Sequence, residues 1–116
     1  EAFNPEMIII ASGFDANTLD PLGRMMLHSD SYRAMTALVK ETAEKVCGGK
    51  LVMTHEGGYS ESYVPFCGLA AIEALSGINT EVETPDLDFA LAQQPGDTFN
   101  QFHKAIIDRW IPHFLK

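Results

Sequence analysis

An unbroken apolar run that stops at a glycine and then presents a carboxylate can fold in few ways, and Ile8-Ile9-Ile10-Ala11-Ser12-Gly13-Phe14-Asp15 is such a run. Four apolar or small residues in succession, without polar alternation, suit a strand buried on both faces, as in parallel sheets packed between helices. A strand is therefore predicted over 7–12, with Pro5 at its entrance. Gly13 lets the backbone turn sharply. Asp15 then falls past the carboxyl end of the strand, where open α/β sheets place their ligands.

The rest of the composition narrows the class. A chain of 116 residues with 46% hydrophobic content suits one domain of ordinary globular type. No apolar run approaches the ~20 residues of a membrane span. The start Glu1-Ala2-Phe3-Asn4 has neither the basic region nor the hydrophobic core of a signal peptide, and it lacks an initiator Met, so the gene is expected to begin further upstream. With a net charge of −8 and Lys and Arg scattered singly, the segment offers no stripe that could track phosphates, which argues against nucleic-acid binding. Cys47 and Cys67 have no metal-type spacing; they read as small buried hydrophobes in a reducing cytoplasm, although spacing alone leaves a disulfide open.

After Asp15, the stretch Ala16-Asn17-Thr18-Leu19-Asp20-Pro21-Leu22-Gly23 is dense in turn formers and reads as an ordered loop, with Asp20 biased away from helix by the following proline. From Ser29 the period changes. Tyr32, Met35, Val39, Thr42 and Val46 recur at steps of three and four, with Ser29 or Asp30 as N-cap and Gly48-Gly49 as the stop. A second strand is predicted over 50–54, ending in His55-Glu56-Gly57-Gly58-Tyr59. Strand, helix, strand implies a crossover and parallel neighbours, so the Asp15 and Tyr59 loops should open onto one crevice.

A largely buried helix is expected from Ser62 to Ser76, with Pro65 in its first turn and Gly77 just past its end. Residues 78–96 read as an acidic surface connection with a short helical turn around Leu87 to Leu91. Thr98 is the expected cap of a last helix whose Phe99, Phe102, Ile106, Trp110 and Phe114 form one apolar stripe, with Pro112 bending or ending its final turn. That stripe makes an interface plausible, including one with a second copy. Two strands and about three helices form a poor stand-alone α/β domain, because an isolated two-stranded sheet is marginal. The chain is read as part of a larger fold.

For Asp15 two readings stand side by side: an oxygen ligand for a metal ion, or an Asx turn that orders its own loop. The pair Gly57-Gly58 would let a substrate approach the backbone, and the Tyr59 phenol, a poor base at neutral pH, is a good donor to a developing oxyanion. Standing alone, Tyr59 would read as a core or rim tyrosine. His28, His55, His103 and His113 are too dispersed for a metal motif. No Gly-x-Ser-x-Gly elbow, Walker loop or Gly-x-Gly-x-x-Gly spacing occurs, which argues against serine hydrolase and nucleotide-binding classes.

In combination, Ser12-Gly13-Phe14-Asp15-Ala16, Asp20-Pro21-Leu22 and Glu56-Gly57-Gly58-Tyr59 closely resemble the last third of the zinc-dependent deacetylase superfamily, over roughly residues 5 to 77 and more loosely to the end. Asn17, Arg24-Met25-Met26 and the run Tyr63-Val64-Pro65-Phe66-Cys67-Gly68-Leu69-Ala70 make it most similar to the bacterial class II histone deacetylase-like amidohydrolases, with acetylpolyamine amidohydrolases as close cousins. The resemblance implies an arginase/deacetylase-type α/β fold, a parallel sheet flanked by helices, of which this chain supplies β-α-β-α-loop-α. It assigns Asp15 to the second zinc-binding aspartate and Tyr59 to the tyrosine that polarises the substrate carbonyl. Leu22, Gly57 and Gly58 match positions along the acyl-lysine channel.

The activity it implies is zinc-dependent hydrolysis of an acetyl or acyl amide on a lysine-like or polyamine-like amine, with histidines as acid and base. The family's tandem His-His pair and its Asp-x-His zinc motif have no counterpart here, and its potassium sites fall mostly in the absent part. Residues 1–116 are accordingly expected to be the C-terminal part of a single deacetylase domain, inactive alone and paired with the missing N-terminal part of the same domain. The competing reading is a non-catalytic binding module that keeps the deacetylase fold. Another is a small independent α/β interaction domain.

Overall fold

The computed structural model describes residues 3–23 and 25–114. Arg24, one of the residues that carries the resemblance, lies outside them. The chain runs β1 (Ile8–Ser12), α1 (Ser29–Cys47), β2 (Leu51–His55), α2 (Val64–Ser76), α3 (Leu87–Ala92) and α4 (Asp97–Phe114). The two strands pair in parallel, with Ile8 opposite Leu51 and Ser12 opposite His55. Parallel pairing follows from the length of the intervening helix, because a tight turn can join only antiparallel neighbours. Each strand is displaced by one residue toward the C-terminus from its predicted start, and β2 extends to His55.

Burial on both faces of the sheet is not what these residues show. Ile9 is 66% exposed and Val52 45%, whereas Ile10 and Met53, which point the other way, are half-covered and line a shared cavity with Tyr32 and Met35 of α1. The apolar alternation is therefore answered on one side of the sheet only. The core gathers at the carboxyl end of the strands, where Phe14, Tyr32, Tyr63, Cys67 and Ala71 are buried together and Leu19, Leu27, Met53 and Val64 pack around them. Phe14 meets the Tyr32 ring edge-on at 5.1 Å between centroids, an arrangement that adds ~0.5–1.5 kcal/mol to the burial itself.

Helix α1 starts one residue earlier than its sequence signals indicate. His28 is the N-cap in extended conformation, and the Ser31 hydroxyl accepts its N–H. Ser29 is unavailable as a cap because it is buried inside the helix, where its Oγ accepts from Thr84 Oγ1 at 2.9 Å. The buried face is Tyr32, Thr36 and Ala43 rather than a stripe through Met35 and Thr42, both of which are exposed. Gly48 closes the helix at φ 63°, a conformation that costs glycine little. Helix α2 carries Pro65 in its first turn, where the missing N–H costs nothing, and ends at Gly77 with φ 76°. Both cysteines are free, Cys67 buried with its thiol pushed up to about 12 by desolvation.

Polar ties fix α2 to its surroundings. The Lys40 ammonium donates to the Leu75 carbonyl at 2.8 Å, satisfying the end of α2. Glu73, although 6% exposed, accepts from Thr80 N and Oγ1 and from the Arg33 guanidinium of α1. The connection over 78–96 is thus pinned at Thr80, at Thr84 through Ser29, and at Gln94, which donates to the Met26 carbonyl at 2.7 Å. The short helical turn read from sequence is α3, with Ala90 fully buried. Thr98 does not cap α4, because the helix already includes Asp97, and Pro112 is accommodated within its last turn. Among the described residues none of α4 is buried, and Phe99, Phe102, Ile106 and Trp110 stand exposed.

The bonds from Thr80, and then from Arg33, hold the Glu73 carboxyl down from 4.5 to about 2. A carboxylate whose folded pKa is depressed contributes stability that is present above its unfolded value and lost as pH falls through the folded one. In the full-length protein, Glu73→Gln should therefore be less stable than the parent near pH 7, with the difference shrinking between pH 4.5 and about 2. Denaturant titrations of both proteins across that range measure it.

Candidate active site

The loops that leave the two strands are stitched to one another. Past the last paired residues, Glu56 N donates to Ser12 O at 3.1 Å and Phe14 N to Gly57 O at 2.7 Å, so the ladder continues into the turns. Burial of the Phe14 side chain anchors the first loop, worth ~1.5–3 kcal/mol on an area basis. Asp15 follows at once and is half-buried.

Its carboxylate lies between two glycines. A Cβ on Gly57 would overlap Asp15 Oδ2 and stand 2.9 Å from Asp15 Cγ, while a Cβ on Gly13 would come within 2.9 Å of Asp15 Oδ1. The same point on Gly57 is 3.4 Å from Tyr59 Oη, so the Asp15 carboxylate and the Tyr59 phenol converge on one side of Gly57. The structure therefore brings together Asp15, Gly57 and Tyr59 as the parallel topology implies. Gly58 adopts φ 139°, and a side chain there would meet Val64 and Phe14. Leu22, on the Asp15 loop, is 68% exposed, and Tyr59 is 54% exposed, which places both at an open rim.

Asn17 and Asp20 organise the loop from within. Asn17, fully buried, donates to Phe14 O and accepts from Leu19 N. Asp20 accepts from Leu22 N and Gly23 N through Oδ1, each at 2.8 Å, and from Tyr59 N through Oδ2 at 2.8 Å. Desolvation opposes its charge, but the amides of Gly23, Tyr59 and Leu22 outweigh it and keep the carboxyl below its ordinary range. Sequence reasoning gave Asp20 only a turn role, since Asp before Pro signals a local bend and nothing local marks a bond across 39 residues.

As for a metal, no hydrogen bond or ion pair reaches the Asp15 carboxylate among the described residues, so its lone pairs are available to an ion. Among the same residues no group of three His, Cys, Asp or Glu side chains comes together. Asp15 thus fits one corner of a metal site, the remainder of which is not built by these residues.

A family model, the histone deacetylase domain, matches residues 1–75, which include Asp15, Leu22 and Tyr59. The chain belongs to the histone deacetylase family. It is 55% identical over 114 residues to a histone deacetylase-like amidohydrolase of Pseudomonas aeruginosa, covering 98% of this chain and 30% of that protein. A probable deacetylase of Archaeoglobus fulgidus is 37% identical over 78 residues, 66% of this chain and 22% of its own length. The crystal structure of the HDA15 HD domain is similar with a TM-score of 0.57 at 37% identity, covering 66% of this chain and 20% of that one. The chain spans less than a third of each of these histone deacetylase relatives, and the fold it shares with them is the α/β deacetylase fold. The matched residues of the family model end before the 78–96 connection, α3 and α4.

Gly23 offers a direct check of this architecture. A Cβ there would collide with the Asp15 carbonyl oxygen and lie 2.8 Å from its carbon, whereas one on Gly96 would meet nothing. In the full-length deacetylase-family protein, Gly23→Ala should destabilise by ~1–3 kcal/mol and Gly96→Ala by less than ~0.5 kcal/mol, read from denaturant unfolding.

Proposed function

We propose that the full-length protein hydrolyses an acetyl or other acyl amide on a lysine-like or polyamine-like amine, using a zinc ion held in part by Asp15. The observation that carries this reading is the convergence of a carboxylate with open lone pairs and a rim phenol on one side of Gly57, in a chain of the deacetylase family. Water adds to the amide carbon, the C–N bond breaks, and the nitrogen leaves with a proton as the free amine, the acyl group as a carboxylate. When bound, the zinc supplies the positive charge that polarises the carbonyl and the attacking water.

The chain's own residues have distinct tasks. Asp15 is one oxygen ligand, and since catalytic zinc takes three protein ligands, the others must come from elsewhere in the protein. Added to these 116 residues alone, zinc should give no hydrolysis. Tyr59 is the catalytic donor: its O–H hydrogen-bonds the carbonyl oxygen as negative charge accumulates there, a bond that strengthens toward the transition state. Leu22, Gly57 and Gly58 line the way in for the acyl-amine stem. A reducing cytoplasm suits the two free thiols.

Tyr59→Phe keeps the ring and removes the donor. In the full-length protein it should retain zinc at parental stoichiometry and lose kcat by roughly 10²- to 10³-fold, with KM changing far less. Asp15→Ala should lower zinc affinity itself, and excess zinc should restore part of its activity but none of that lost in Tyr59→Phe. Metal content and kcat on an acetyl-lysine peptide and on an acetylated polyamine measure both. A parental protein that binds zinc yet hydrolyses neither would favour a binding module on the deacetylase fold.

A further inference from the structure

Tyr59 stands 54% exposed at the rim, with no hydrogen bond to its Oη among the described residues, so the phenol's position is set by its backbone. That backbone follows two glycines, one of them at φ 139°, which give it little stiffness of its own. What fixes it is a bond from a different loop. Tyr59 N donates to Asp20 Oδ2 at 2.8 Å, while Oδ1 of the same carboxylate accepts from Leu22 N and Gly23 N. Gly23 in turn lies so close to the Asp15 carbonyl that no side chain fits between them. A continuous set of contacts therefore runs from the Asp15 backbone through Gly23 and the Asp20 carboxylate to the Tyr59 amide. Because a carboxylate is planar and rigid, the two sides of that set cannot move independently.

We propose that Asp20 is a positioning residue for Tyr59, holding the tyrosine's backbone at a fixed distance from the Asp15 loop so that the phenol meets the substrate oxygen. The inference rests on the reading of Tyr59 as the oxyanion donor. Chemistry singles out a carboxylate for this place. Three N–H donors converge on its two oxygens, and an amide side chain has only one oxygen to offer. In Asp20→Asn the amide nitrogen must face either the Leu22–Gly23 pair or Tyr59, donor against donor. The pair holds the oxygen more strongly, so Tyr59 is the partner released. A loop-only role for Asp20 would instead damage Leu22 and the channel lip without regard to what the phenol does.

The two roles separate in a double-mutant cycle on the full-length, zinc-loaded protein. Asp20→Asn should lower kcat roughly 10- to 100-fold, with KM within about threefold and zinc stoichiometry unchanged, the loss being bounded by that of the donor it serves. In a Tyr59→Phe background the same change should cost less than about threefold. An equal loss in both backgrounds, or no loss in the parent, overturns the positioning role while leaving Tyr59 as the donor. A Tyr59→Phe protein with parental kcat overturns the functional reading and this inference with it.

Two further measurements remain informative should Asp20→Asn fold poorly. Replacing Tyr59 by its α-hydroxy analogue turns the Gly58–Tyr59 amide into an ester, so the N–H donor is lost while Asp20 stays intact; it should reproduce the kcat loss, and a parental kcat would refute the proposal. In the metal-free protein, hydrogen exchange of the Tyr59 amide should be at least about tenfold faster in Asp20→Asn than in the parent, with β2 amides unchanged. Equal rates at Tyr59 would refute it without reference to activity.

Discussion

Two parallel strands ending side by side would scatter their loops unless the hydrogen-bond ladder continued beyond them, and here it does. The bonds from Glu56 N to Ser12 O and from Phe14 N to Gly57 O carry the pairing past His55 and Ser12 into both turns. Everything with chemical potential depends on that continuation. Without it Gly57 would not lie against the Asp15 carboxylate, and the Tyr59 amide would not reach Asp20. Parallel sheets gather ligands at this edge because successive loops all emerge there. The present chain shows how two such loops are fixed to each other by main-chain bonds before any side chain contributes.

Side chains then give the edge its foundation. Phe14 sits directly before Asp15 and reaches into the cluster of Tyr32, Tyr63, Cys67 and Ala71, so the carboxylate is attached to a buried anchor. Helix α1 contributes Tyr32 to that cluster and Arg33 to the Glu73 ion pair, and so joins the site's foundation to α2. The Glu73 pair is largely screened from water on the carboxylate side, at 5% exposure, and two bonds from Thr80 complete its acceptor sites. A buried carboxylate with all its donors supplied is stabilising, whereas one left half-paired would be costly. The 78–96 connection, far from being a loose surface strap, is the element that completes this pairing.

How much of this is readable from the residues follows the range of the interaction involved. Periods and breakers are local, so the Ile run, the paired glycines and Pro65 locate β1, β2, α1 and α2 to within one or two residues. Parallel topology and the convergence of Asp15 with Tyr59 followed from connection length. Caps escape a local reading where a competing tertiary bond takes the side chain: Ser29 is engaged by Thr84, 55 residues away, and leaves His28 to begin α1. The burial of α1 slipped off the Met35–Thr42 line because Lys40 and Arg33 are drawn toward α2, which turns Thr36 and Ala43 inward. Two-sided burial of the strands was expected from the Ile run, yet Ile9 and Val52 face outward. The residues of this chain cover only one face of the sheet those sequences were written for.

The glycines carry the same lesson into the site. Read as sequence, Gly57-Gly58 signals close approach of a ligand, since glycine is where a backbone admits something near. In the folded chain the space beside Gly57 is already taken, by the Asp15 carboxylate on one side with Tyr59 Oη close by, and the space beside Gly58 by Val64 and Phe14. Gly13 and Gly23 are likewise held clear by Asp15, its carboxylate in one case and its carbonyl in the other. Three glycines, Gly13, Gly23 and Gly57, thus serve one aspartate-centred contact set, and their role is to let loops from different strands pack at backbone distance. Any side chain at these positions would push the carboxylate, and through Asp20 the tyrosine, out of register with each other. In the proposed hydrolysis, two groups acting on one small carbonyl tolerate little such displacement, because misplacement of even ~1 Å can cost on the order of 10²-fold in rate. The close approach that sequence attributes to a ligand is, in this fold, first a means of bringing Asp15 and Tyr59 together.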